Sequence, residues 1–196
     1  MPRRPDPTRK PELLGQILEH LRGRSLATVS FRTLAEALGV STYVFVYHFG
    51  NRAQLIGEIV RAVVGRNDAL LEIDPVGLDE TAFSKHVGKL WAEASSERGR
   101  DMQRLEFEAA LLEVVAADDE GTARGAVSRW HEFVTAWLTS RGVPAARAKT
   151  EARAFVDGLH GLQYDAVVGR DVKPVSTAFK THLESFVSKV PTLARS

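Results

Sequence analysis

Apolar residues recur at three- and four-residue spacings along almost the whole chain, and no stretch alternates apolar and polar positions long enough to suggest a strand. Leu13, Leu14, Ile17, Leu18 and Leu21 form one such stripe, which predicts a first helix from about Pro11 to Arg22, ended by Gly23. Phe31, Leu34, Ala35 and Leu38 form a shorter one, with Ser30 placed to cap it and Gly39 to end it. Ser41 can cap a third helix, Thr42–His48. Asn51 and Gln54 have capping-box spacing at the head of a fourth, which carries Leu55, Ile56, Ile59, Val60, Val63 and Val64 to about residue 66. Further on, the pattern predicts helices at 79–97, 101–117, 119–140, 145–169 and 174–189. They are separated by Arg98-Gly99, Asp118-Asp119, Gly142-Val143-Pro144 and Asp171-Val172-Lys173-Pro174. The expected fold is all-α, with a three-helix N-terminal module, a C-terminal helical bundle and about nine helices in total.

Within this pattern, Ser30–Leu55 contains two short helices joined by a tight turn at Gly39, which is the layout of a helix-turn-helix. Spacing alone fits an ordinary helical hairpin equally well. Charge changes the balance. Residues 1–66 hold 10 Lys/Arg against 5 Asp/Glu, while the remainder holds 16 against 20, so a chain of net charge +1 has one basic end. A basic module with this layout has the electrostatic footprint of a protein that meets a polyanion. The opening MPRRPDPTRK reads as an arm whose Arg3, Arg4, Arg9 and Lys10 could reach phosphates.

Composition narrows the remaining classes. A hydrophobic content of 44% over 196 residues is ample for a core, and no apolar run approaches a membrane span. The arm lacks the apolar segment of a signal peptide, so the cytoplasm is the expected location. There is no cysteine, and the six histidines have no pair at ligand spacing. No phosphate-binding glycine loop, GxSxG or HExxH occurs. No enzyme activity, metal or cofactor is therefore expected.

FRTLAEALGVSTYVFVYHFGNRAQL resembles the N-terminal signature of TetR/AcrR-type transcriptional regulators. The matching positions are Leu34-Ala35, Leu38-Gly39-Val40-Ser41, His48-Phe49, Arg52 (where the family usually has lysine) and Leu55. Val156-Asp157-Gly158-Leu159 is similar to a segment in the penultimate helix of many such proteins. The chain departs from the family pattern at Tyr43, Val44, Val46 and Tyr47, all in the third helix.

The resemblance implies a DNA-binding domain at 1–52, a connecting helix at 51–66, and a ligand-binding and dimerisation domain at 67–196. Residues 42–48 would lie in the major groove of operator DNA, with Thr42 and Tyr43 at base edges and Ser41, Tyr47, His48, Arg52, Arg32 and Thr33 at phosphates. It also implies a mostly apolar cavity for a small-molecule effector, with His86, Trp91, Met102, Trp130, His131, Trp137 and Gln163 as candidate lining. A reader this short implies a homodimer on two half-sites. Phe155, Leu159 and Leu162 with Phe179, Leu183 and Phe186 are the candidate interface, although the same stripes could face the intrachain core. The function implied is a ligand-responsive repressor released from its operator. The competing reading is a helical interaction or architectural protein whose helix-turn-helix does not read DNA specifically.

Overall fold

Local capping signals set most element boundaries. The computed structural model describes residues 8–65, 71–115, 122–169 and 171–195, and among them there are nine α-helices and no strand. They are α1 (Arg9–His20), α2 (Phe31–Leu38), α3 (Thr42–Phe49), α4 (Arg52–Gly65), α5 (Glu80–Ala94), α6 (Glu97–Val115), α7 (Thr122–Ser140), α8 (Ala145–Val168) and α9 (Val172–Leu193). Short 3₁₀ turns precede α2 at Leu26–Thr28 and α5 at Pro75–Gly77. Arg3, Arg4 and the Asp118-Asp119 break lie outside the described residues.

Some boundaries differ from the expected ones for identifiable reasons. α6 starts at Glu97, ahead of Gly99, because the Ser96 hydroxyl accepts from the Gly99 N–H at 3.0 Å and so caps it. Gly99 is a point of close approach within the helix: a Cβ there would lie 2.0 Å from the Glu93 carbonyl oxygen and 2.6 Å from that of Ala94. α9 starts before Pro174 because the Asp171 carboxylate caps the Lys173 N–H at 3.0 Å, which leaves the proline in the first turn. It continues past residue 189, and Val190 and Leu193 stay buried on its inner face.

The chain divides into two compact units. The first gathers residues 1–65 and 105–123, the second 66–104 and 124–196, so residues of α6 fall in both. In the first unit α1 packs on α2 and α4, and α3 packs on α2 and α4. Leu13, Ile17, Leu26, Phe45, Leu55, Ile59, Leu105 and Ala109 are its fully buried side chains.

The second unit has an aromatic core. Phe83 stacks on Trp137 at 3.8 Å, Phe155 stacks on Phe186 at 3.9 Å, and Trp91 stacks on Phe179 at 4.5 Å. The buried indole N–H of Trp137 donates to the Leu78 carbonyl at 3.0 Å, which removes the cost of hiding it. α8 and α9 pack closely because Gly158 leaves room for the His182 ring, whose nearest atom would be 2.6 Å from a Cβ at that position.

Candidate nucleic-acid interface

The helix-turn-helix is held from behind by apolar anchors and at its ends by hydroxyls. Phe45 and Phe49 are the buried side chains of α3. Phe45 stacks on Phe31 of α2 at 5.9 Å, and Phe49 follows at 6.4 Å from Phe45. Ser30 and Thr33 form a reciprocal capping box, each hydroxyl accepting from the other's backbone N–H, at 3.1 and 3.0 Å. Gly39 takes φ 64°, the left-handed conformation that lets the chain leave α2 and turn within a few residues. The Ser41 hydroxyl then caps α3 by accepting from the Tyr43 N–H at 3.2 Å.

With Phe45 and Phe49 turned inward, Thr42, Tyr43, Val46 and Tyr47 face out. Tyr43 is 70% exposed, Val46 49% and Tyr47 56%. The two tyrosine rings lie 6.4 Å apart, and Tyr47 meets the edge of the half-buried His48 ring at 4.9 Å. Arg32 is exposed at the start of α2.

Other predicted contacts have partners inside the chain. Arg52 Nε donates to the Val29 carbonyl at 2.6 Å and a terminal nitrogen to that of Ala27 at 3.3 Å, so its guanidinium ties α4 to the strap before α2. Thr33 and Ser41 are engaged as caps. Lys10 binds Glu58 at 2.7 Å and sits over the Phe49 ring, while Arg9 pairs with Glu12 at 3.6 Å. The Lys10 hydrogen bond, joined by the charges of Lys10 and Arg61, holds the Glu58 carboxyl below its ordinary value against the opposing effect of burial. Glu108 of α6 was not anticipated. Its carboxylate accepts from the Ser25 hydroxyl at 2.9 Å and the Leu26 N–H at 2.7 Å, which fixes the entrance to the 3₁₀ turn. A long-range partner of this kind leaves no periodic trace in a sequence.

The effector candidates fall in separate environments. Trp137 and Trp91 belong to the core; Trp91 donates to the Ser176 hydroxyl at 3.1 Å. Met102 is buried. His86 and the half-buried Trp130 both pack against Phe133, at 5.9 and 6.2 Å. His131 bonds Asp157 at 3.0 Å beside an open groove of about 710 Å³ between α7 and α8, lined also by Thr135, Lys149 and Arg153. Gln163 is half-buried and its Oε1 has no hydrogen-bond partner. Burial pushes the His160 imidazole below its ordinary value, with Asp157 opposing and His131 adding to the effect.

The expected dimer residues face inward. Phe155, Leu159, Phe179, Leu183 and Phe186 are buried in their own chain's core, and the half-buried Leu162 packs against it. The exposed positions of α8 and α9 include Ala154, Gly161, Tyr164 and Val168, and Ala178, Thr181 and Ser185, alongside charged Arg153, Asp157, Asp165, Lys180 and Glu184. Among the described residues no group of three or more His, Asp or Glu is placed to hold a metal ion, and no helix is long and apolar enough to cross a membrane.

This architecture recurs among solved structures. The chain is similar to a protein from Mesorhizobium loti MAFF303099 described as a TetR-family transcriptional regulator (TM-score 0.66, 17% identity, 92% of this chain and 96% of that one covered). It is equally similar to a TetR transcriptional regulator from Legionella pneumophila (TM-score 0.66, 15% identity, 98% of each chain). A third likeness is to the TetR-family repressor AlkX from Dietzia sp. strain DQ12-45-1b, implicated in biodegradation of n-alkanes (TM-score 0.50, 16% identity, 98% of each chain). No family model and no curated protein matches the chain. At these identities the likeness is one of fold, and the fold is that of the TetR-family regulators.

Proposed function

We propose that this chain is a transcriptional regulator of the TetR type, a homodimer that binds operator DNA through α3 and is released when a small, largely apolar molecule binds among α5–α8. The observation that carries this reading is the outward face of α3, anchored from behind by Phe45 and Phe49 and exposed to a partner. A helix presented in this way fits the major groove, and exposed Arg32 and the N-terminal ends of α2 and α4 supply phosphate contacts on either side. Dimerisation uses the outer face of α8 and α9, where Ala154, Gly161, Ala178 and Ser185 let facing helices approach closely and Tyr164 and Val168 contribute apolar area.

The test is selection of bound sequences from randomised duplexes by the full chain, followed by affinity measured against salt. A recovered sequence with affinity falling steeply in salt is the expected result, with Arg32→Ala lowering the salt slope by about one per reading head. Apolar candidate molecules are then added to the complex and scored for release. Recovery of no preferred sequence refutes the reading and favours a helical interaction protein, which the lack of charged and amide side chains on α3 would suit.

A further inference from the structure

α3 has the sequence TYVFVYHF. It contains no Arg, Lys, Asn, Gln, Asp or Glu. Those are the side chains that grip base edges by paired or charge-assisted hydrogen bonds: Arg and Lys on guanine, Asn and Gln on adenine, carboxylates on cytosine. Tyr43, Val46 and Tyr47 are spaced to share one helix face, and all three are exposed. Val46 stands one turn on from Tyr43 and beside Tyr47. A branched aliphatic chain flanked by two aromatic rings matches the one apolar group displayed in the major groove, the C5-methyl of a pyrimidine. The anchors of α3 are Phe45 and Phe49 on another side of the helix, and the ring contacts of Tyr43 and Tyr47 are made within α3 itself.

Resting on the reading that α3 enters the major groove, we propose that this protein selects its site by the C5-methyl groups of pyrimidines, contacted by Val46 and the rings of Tyr43 and Tyr47. Thr42 and the phenol hydroxyls add single hydrogen bonds to bases or phosphates. The methyl comes from thymine or from 5-methylcytosine, which carry it at the same place. Burying one methyl against apolar side chains corresponds to roughly a fourfold gain in affinity, and about sixteenfold when both half-sites gain it.

The experiment uses the full chain and the duplex recovered by selection, resynthesised with deoxyuridine for thymidine at one position at a time. Affinity is read by fluorescence anisotropy at fixed salt. One or two positions per half-site should lose about fourfold with deoxyuridine. In Val46→Ala or Tyr43→Ala that difference should vanish at one of them. At the same position a 5-methylcytosine·guanine pair should bind about fourfold tighter than cytosine·guanine. Whichever of 5-methylcytosine and thymine binds better identifies the natural source. Deoxyuridine tolerated at every position overturns the inference while leaving sequence-specific DNA binding intact. So does a penalty that persists in both variants. If selection recovers no sequence, DNA reading itself fails and the inference falls with it.

Discussion

The first unit is closed by polar clamps and the second by stacked rings. Around α1–α4 the apolar centre is small, with Phe31, Phe45 and Phe49 as aromatic members; Arg52 and Glu108 pin the turn before α2, and Lys10 ties α1 to α4 through Glu58. In the second unit Phe83, Trp137, Phe155 and Phe186 lie within 6.2 Å of one another in successive ring contacts. Burial supplies most of the stability where area is large, whereas directed hydrogen bonds hold shape where it is small. The difference means that truncating a side chain should act on the first unit through geometry and on the second through lost packing.

The largest expected effect lies in the second unit. Trp137→Ala removes a fully buried ring stacked on Phe83 and should cost about 3–5 kcal/mol in urea unfolding. A loss below about 1 kcal/mol would mean that the aromatic stack is not what holds this unit together. Next, Gly99→Ala should cost about 1–3 kcal/mol, because its Cβ would collide with backbone oxygen of α5 that has no side chain to rotate away. Gly88→Ala, in α5 with nothing within 4 Å of the new methyl, should instead stabilise by up to about 1 kcal/mol. Equal effects at the two glycines would show that helix propensity, rather than the close approach, decides.

The contrast sharpens in the first unit with Glu108→Ala. The partly buried Leu26 N–H and the Ser25 hydroxyl lose their shared acceptor, for about 1–2 kcal/mol. Hydrogen exchange should locate the loss at Leu26, with the protection of α8 and α9 untouched. Unchanged protection at Leu26 would remove Glu108 from the account. The smallest effect is that of pH. His20 is held below its ordinary value by burial and by Arg24, and His160 by burial, so each folded state takes up a proton less readily than the unfolded chain. Stability should therefore decline as pH falls from the unfolded histidine value of about 6.5 towards the lower folded ones. Glu58 should add a second decline below its unfolded value of 4.5, as its pairing with Lys10 is lost. A urea midpoint constant from pH 8 to pH 5 would contradict the histidine part, and His160→Gln should flatten the first decline.

The N-terminal elements were legible because their determinants are local. Asn51 and Gln54 make the reciprocal bonds that their spacing suggests, and Ser30 caps α2 as expected, with Thr33 returning a bond that was not anticipated. Helical periodicity likewise identified α8, whose start at residue 145 and end near 168 match the expectation closely. Periodicity says which residues turn inward but not what they meet. Trp137 and Trp91, candidate cavity lining by the resemblance, lie in the core, and Phe155 and Phe186 face their own chain. Arg52 met backbone carbonyls more than twenty residues away, and Glu108 a turn more than eighty away, which no window of sequence contains. Gly99 read as a terminator because glycine often ends helices; its actual role depends on the path of α5.

The division of α3 between inward Phe45 and Phe49 and outward Thr42, Tyr43, Val46 and Tyr47 has an evolutionary consequence. The two sets share a helix but no duties, so drift at the outward set leaves the fold's stability nearly unchanged. Gene duplicates could then diverge in target while inheriting an intact scaffold. A library confined to those outward codons would sample new specificities at little risk of unfolded products.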